Sequence, residues 1–384
     1  MSTGPVDVES SSPNNPQIVA ISESRPISRK MKLPKASRCF GVILLFVFVA
    51  LVLLLSFPKK QRHLSITHDF GIGFDLSPSY ATVAVSYPNG SVKSIARVEG
   101  DGAYRDMMLR LSLTSSQHLH RPYQNVGKAI DDIPRQIWRD TRKKLGLPSS
   151  GDVGTLSKMI RALQDQAEDF IGEPVSAAAI SIPHLAALYG EDLYDAFEYL
   201  SLVYLEFFPF SNFHPIHTSI AAYDGNGLGF CSDYRDVEAC KEEELHIPSR
   251  FALAISYTHT SLTTSQARIS NAYYVEEVSA LENLHLGYDE RDGESYWEVV
   301  QDMLQYPILD SAIPRNFSMV ILSGDAADKP RFREVLQGVV DNVIGGEPEV
   351  VDRRPEFSAA RGTAELAKRA IFREINKLST DSEL

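Results

Sequence analysis

Cysteine is scarce in this chain, with three residues in 384, and their spacing matches no zinc-binding pattern. Zinc fingers and ribbons are therefore excluded. Heptads and tandem repeats are missing too, which removes coiled coils and solenoids. No Gly-x-Ser-x-Gly elbow occurs, so nothing points to a serine hydrolase. Basic residues are outnumbered, 38 Lys and Arg against 50 Asp and Glu, for a formal charge of -12. The first 38 residues carry six bases and three acids, which leaves -15 for the rest of the chain. An acidic body of that kind argues against nucleic acid as a partner.

What is present begins with a segment, residues 1–38, rich in Ser, Pro and Asn and ending in a basic run from Arg25 to Arg38. It has too few large apolar side chains to offset its ordering entropy and is expected to be a disordered tail. Residues 39–57 read CFGVILLFVFVALVLLLSF, uncharged and apolar all round. As a helix this run is about 28 Å long, close to the hydrocarbon thickness of a bilayer. It is expected to be one membrane span, an uncleaved signal-anchor, since the leader is long and lacks a small-residue cleavage site. Positive charge is heavier before the span than after it, so the tail is expected in the cytosol and the part after a short linker, 58–66, in the lumen of the secretory pathway, endoplasmic reticulum or Golgi.

Three further features fit that placement. Asn89 and Asn316 head glycosylation sequons, Asn89-Gly-Ser91 and Asn316-Phe-Ser318. Cys231 and Cys240 flank a polar loop, where a disulfide and two free thiols are equally open readings. The last four residues, Asp-Ser-Glu-Leu, only loosely resemble an endoplasmic-reticulum retrieval signal.

Beyond the linker, residues 70–97 read as three strands, with turns at Ser77-Pro78-Ser79 and Pro88-Asn89-Gly90. Leu156, Met159, Ile160, Leu163, Ala167 and Phe170 fall on one helical face. Strands are expected at 175–182, 202–208, 251–257, 261–269 and 317–322. Helices are expected around 193–200, 216–223, 332–343 and 358–376, and the stretch from Asp224 to Arg250 reads as a polar loop. Strands that meander and then alternate with helices make the fold class mixed α/β.

Taken in order, several of these pieces resemble the actin-like ATPase superfamily, as it occurs in the nucleotide-binding domain of the seventy-kilodalton heat-shock chaperones. Gly73-Phe-Asp75-Leu-Ser77-Pro-Ser79-Tyr80 is similar to the family's first phosphate hairpin, and Ser256-Tyr-Thr258-His-Thr260-Ser261 to its second. Residues 175–183 resemble the strand that ends in Val-Pro. Residues 216–223 and 359–364 resemble the two helices that cross between lobes, and Val320-Ile-Leu-Ser-Gly324-Asp325 the adenosine-contacting turn. The resemblance implies two lobes with a ribonuclease H-like motif, lobe I over 67–215 and 344–384 and lobe II over 216–343. It also implies ATP with magnesium as cofactor if binding is retained, held by Asp75, Ser77, Ser79, Ser256, Thr258, Thr260, Gly324 and Asp325.

The departures bear on the chemistry. Ser77 stands where the family has glycine, and Pro78 has no N–H to offer a phosphate. Ser256 replaces a magnesium-organising acid, and His217-Thr218-Ser219 replaces a Glu and Pro. No counterpart of the family's catalytic lysine lies between Arg97 and Lys144. Phosphoryl transfer depends on such groups. The expectation is a membrane-anchored, non-catalytic relative acting as a lumenal binding module for a protein partner, too short after the second crossing helix for a peptide-binding domain. Asp75 is either the surviving metal-orienting acid of a working enzyme or a cap on the hairpin tip, and Gly324 either admits an adenine or makes a turn. Two alternatives stand beside this: a divergent but active ATPase or small-molecule kinase of the same superfamily, and, from topology alone, a type II glycosyltransferase, although Asp-x-Asp occurs nowhere. The pairs His118/His120 and His214/His217 invite a metal reading, but no neighbouring acid or cysteine completes a set, and solvated or packed histidines are expected.

Overall fold

The computed structural model describes residues 66–206, 215–309, 317–344 and 347–381, all within the compact unit Pro58–Leu384. The expected tail, the membrane span and most of the linker lie outside the described residues, as do Asn316 and His214. Among the described residues no helix is long and apolar enough to cross a membrane.

The chain opens with a meander, β1 (Gly71–Leu76), β2 (Tyr80–Ser86) and β3 (Val92–Glu99), antiparallel throughout and turned where the sequence predicts. Three helices, α1 (Gly102–Leu111), α2 (Val126–Asp131) and α3 (Ile133–Lys144), fill the stretch that periodicity left unread. α4 (Gly151–Ile171) is capped by Ser150, whose side chain accepts from the Val153 amide, and ends at Gly172 with φ 80°. Its inward face is the expected one except at the end, where Ile171 packs on the core and Phe170 is exposed.

β4 (Ala177–Ile182) lies parallel to β1, and α5 (Gly190–Leu200) leads to β5 (Val203–Tyr204), shorter than expected. Residues 216–217 are strand β6, paired with the end of β4, rather than the start of a helix; α6 (Thr218–Gly225) follows. The polar stretch is not all loop: Asp236 caps a helix, α7 (Val237–Leu245), by accepting from the Ala239 amide. A second meander, β7 (Arg250–Tyr257), β8 (Leu262–Asn271) and β9 (Tyr274–Asn283), precedes α8 (Glu294–Leu309), β10 (Met319–Ser323), α9 (Pro330–Val339), β11 (Glu349–Val351) and α10 (Ser358–Asp381).

The first sheet runs β3-β2-β1-β4-β5, and the second β9-β8-β7-β10-β11. These are one arrangement used twice. In each, three antiparallel strands are followed by two that lie parallel to the first of them. β11 belongs to the second sheet and β6 to the first, so the expected lobe limits at 216 and 344 each cut through a sheet's own segment. The chain returns to the first sheet only with α10.

Side-chain size decides the layering. Along β4, Ala178, Ile180 and Ile182 face an outer core with α4 and α5, while Ala177 and Ala179 face α6 and α10. Along β7, Leu253 and Ile255 face outward, Ala252 and Ala254 inward. Small residues on the inner faces let helix backbones approach. A Cβ on Gly73 would lie 2.1 Å from the Ala364 amide nitrogen, so only glycine permits α10 to rest on β1. Between the helices the approach is closer still, with Gly225 against Ser358 and Gly362 against Ala221.

Candidate functional site

The two hairpins expected to hold phosphate face each other, and the amides of the second tip are already engaged. At the first tip the Ser77 amide donates to the Tyr80 carbonyl at 2.8 Å, Pro78 has no N–H, and the Ser77 carbonyl accepts from the Tyr104 hydroxyl at 2.8 Å. At the second tip four successive amides are engaged, three within the hairpin and one with Asp325. Thr258 N–H donates to the Ser261 carbonyl, and His259 N–H to Asp325 Oδ1. Thr260 and Ser261 N–H both donate to the Thr258 hydroxyl, at 3.2 and 2.9 Å. An incoming anion would have to displace these acceptors, each a buried or half-buried bond.

Across the cleft the tips touch. Thr260 Oγ1 donates to Ser79 Oγ at 2.9 Å. Arg97 on β3 donates to Asp325 Oδ2 at 2.6 Å and to Glu356 at 3.1 Å, with its guanidinium stacked 4.0 Å from the centre of the Tyr80 ring. Asp325 thus has one oxygen on Arg97 and the other on the His259 amide, leaving little with which to bind a ligand. Gly324 resolves to the turn reading: its φ is 96°, and a Cβ there would lie 2.2 Å from the Tyr257 carbonyl oxygen, so its open face meets protein.

Ser77, Ser256, Ser261 and Ser323 are among the residues that line the space that remains, a cavity of about 20 Å³. That admits a water or two, whereas sites for drug-sized ligands run to about 300–1,000 Å³.

Asp75 does not cap the hairpin tip. It is 3% exposed and accepts from Ser181 Oγ at 2.7 Å and Thr218 Oγ1 at 3.0 Å. Ser181 in turn accepts from Thr363 Oγ1 at 3.0 Å, so the acid joins β1, β4, α6 and α10 in one buried network. Burial raises its pKa to about 7, against the opposing pull of the two hydroxyls. The reason for the difference is direction: position 75 alternates with Phe74 and Leu76, which face the outer core, so its side chain points toward the crossing helices.

A second cluster was not foreseen. His184, just past β4, and His217, at the end of β6, pack edge to face at 3.9 Å, and Glu277 of β9 meets both. Glu277 Oε2 is 2.5 Å from His217 Nδ1, and Oε1 is 3.2 Å from His184 Nε2. Burial alone would raise the Glu277 pKa, but hydrogen bonds from the two histidines outweigh it and hold the carboxyl well below its usual range. Thus His217 does find an acid, from a strand 60 residues away that sequence periodicity did not reveal. His118 and His120 instead pack on Tyr189, at 4.9 and 3.7 Å between ring centres.

Cys231 and Cys240 form a disulfide. Asn89 is exposed at the β2–β3 turn, its Oδ1 accepting from the Ser91 amide and hydroxyl. Arg97, the group that spans the cleft, was also unassigned in sequence, because an isolated arginine on a strand carries no motif. No protein-family model matches the chain, and no curated protein matches it either.

Proposed function

We propose that the chain is a non-catalytic member of the actin-like ATPase superfamily, a heat-shock-70-like body held by one membrane span, that serves as a lumenal binding module for another protein. The twice-used sheet order and the glycine-mediated crossing of α6 and α10 support the fold assignment. One observation carries the loss of nucleotide chemistry. The hairpin tips bond to each other through Ser79 and Thr260, with the second tip's amides taken up by the tip itself and by Asp325. A phosphate cradle works by aiming unsatisfied amides at an anion, and these amides are satisfied.

Titration of the full-length chain with magnesium ATP tests the reading, by calorimetry and by thermal unfolding. No heat of binding and an unchanged midpoint are expected. A ligand at a hundred times its Kd stabilises by about 2.7 kcal/mol, so binding would be plain to see. Hydrolysis that disappears in Asp75→Ala would establish the divergent-enzyme alternative instead.

A further inference from the structure

We propose that His184, His217 and Glu277 bind a divalent transition ion of the zinc class, joining the end of the first sheet to the edge of the second. His184 and Ser219 also line the cavity left in the cleft, so the site borders it. The donor atoms, His184 Nε2, His217 Nδ1 and a Glu277 oxygen, all lie within 4.8 Å of one another. Zinc bonds of about 2.0 Å to nitrogen and oxygen set tetrahedral donors about 3.3 Å apart. His184 Nε2 and Glu277 Oε1 are already 3.2 Å apart, close to that spacing.

The donor set selects the metal. Two imidazole nitrogens and one carboxylate are the ligands of zinc sites that keep a fourth position open, whereas calcium and magnesium prefer oxygen throughout. The Ser219 hydroxyl stands on that fourth side, 3.1 Å from His184 Nε2 and 3.0 Å from Glu277 Oε1. Glu277 is aimed by the backbone. Ala267 pairs with Glu277 but the adjacent Gln266 pairs with Ser279, so Val278 is an extra residue and the strand bulges beside the acid. Side-chain exposures of 8% for His184, 27% for His217 and 22% for Glu277 leave a path for an ion while removing most of its water.

The carboxylate can only accept, so His217 Nδ1 carries the proton of their hydrogen bond. His184 Nε2 likewise faces Glu277 Oε1 and carries the proton of that contact. To take the ion, each ring gives up the proton on its ligating nitrogen, to its other nitrogen or to water, and the freed lone pair goes to the metal.

The test uses the full-length chain stripped with chelator and titrated with cobalt(II), then zinc. One cobalt per chain with the visible bands of a tetrahedral nitrogen and oxygen site is expected, bleached as zinc displaces it, and zinc alone raises the thermal midpoint. Glu277→Gln and His184→Ala should each weaken binding about a hundredfold or more. His118→Ala/His120→Ala should leave it unchanged. Absence of one-to-one binding up to about 100 µM cobalt, or binding that survives both ligand variants, overturns the site. If Glu277→Gln lowers the midpoint of the metal-free protein, the unaltered chain supplies the answer. Zinc should protect His184 and His217, but not His118 or His120, from carbethoxylation, and equal modification of all four with and without zinc overturns it.

Discussion

Arg97 of β3 and Asp325, in the turn after β10, form an ion pair at 2.6 Å that spans the cleft between the two sheets. The pair ties the Asp325 turn to β3 across the cleft.

Removing the arginine leaves the Asp325 carboxylate, 4% exposed, with the His259 amide as its remaining hydrogen-bond partner among the described residues. Arg97 is itself 28% exposed, so solvent screens part of the interaction. Arg97→Ala should cost about 1–2 kcal/mol, and a double-mutant cycle with Asp325→Ala should return a coupling of about 1 kcal/mol. Denaturant midpoints of the four proteins give the number; additive losses would mean the two groups act separately.

Glycine substitutions should divide sharply by location. A Cβ on Gly225 would sit 1.7 Å from the Ser358 carbonyl oxygen, and one on Gly362 1.9 Å from that of Ala221. Neither obstacle is a flexible side chain, so α6 and α10 must separate. Alanine at either position should cost about 3 kcal/mol or more. Gly338, in the last turn of α9, has nothing within 4 Å of its added Cβ, and Gly338→Ala should stabilise by about 0.5–1 kcal/mol. Equal effects at all three sites would contradict the packing described.

Asp75 sets a pH dependence whose sign is fixed by burial. Its carboxyl titrates near 3.8 when unfolded and near 7 when folded, so the folded state holds the proton more tightly. Stability contributed by this group is present below about pH 4, falls as pH rises toward 7, and is level above that. Asp75→Asn keeps an acceptor for Ser181 and Thr218 without the charge. It should match the parent at pH 4 and exceed it by about 4 kcal/mol at pH 8. Urea midpoints across that range measure it, and a variant weaker than its parent at pH 8 would sink the assignment.

The Cys231–Cys240 bond closes a loop of sequence separation 9. On chain entropy alone, Cys231→Ser/Cys240→Ser should lower stability by about 2.5 kcal/mol, with dithiothreitol producing a similar loss in the parent. A midpoint indifferent to reductant would show the thiols to be free in solution.

Much of this architecture was legible because it rests on local chemistry. The Asn89-Gly90 turn and the alternation in β1 and β2 marked the first meander, and Ser323-Gly324-Asp325 marked a tight turn after a strand. The helices at 216–223 and 358–376 were expected, with a crossing role for 216–223 and 359–364 implied only by the family resemblance. What escaped was structure without a local signature. β9 reads YVEEVSALEN, mostly polar on an exposed edge, and α8 carries Pro307 near its end. The ligand set of His184, His217 and Glu277 required knowing that β9 folds back beside β4 and β6, which is tertiary information. The hairpin tips were a middle case: Pro78 revealed one lost donor, but nothing in sequence showed Thr258 capturing two amides.

The bare-backbone meeting of α6 and α10 also determines what kind of movement remains. Both sheets lay their smallest side chains on that pair, so it can serve as a pivot without unpacking either outer core. Ser79 with Thr260, and Arg97 with Asp325, lie away from the pivot, where even a slight swing would pull them apart. With the tips tied through Ser79 and Thr260 and the edges through Arg97 and Asp325, opening the cleft requires breaking both contacts, and a partner docking on the outer surface would meet the two sheets tied together.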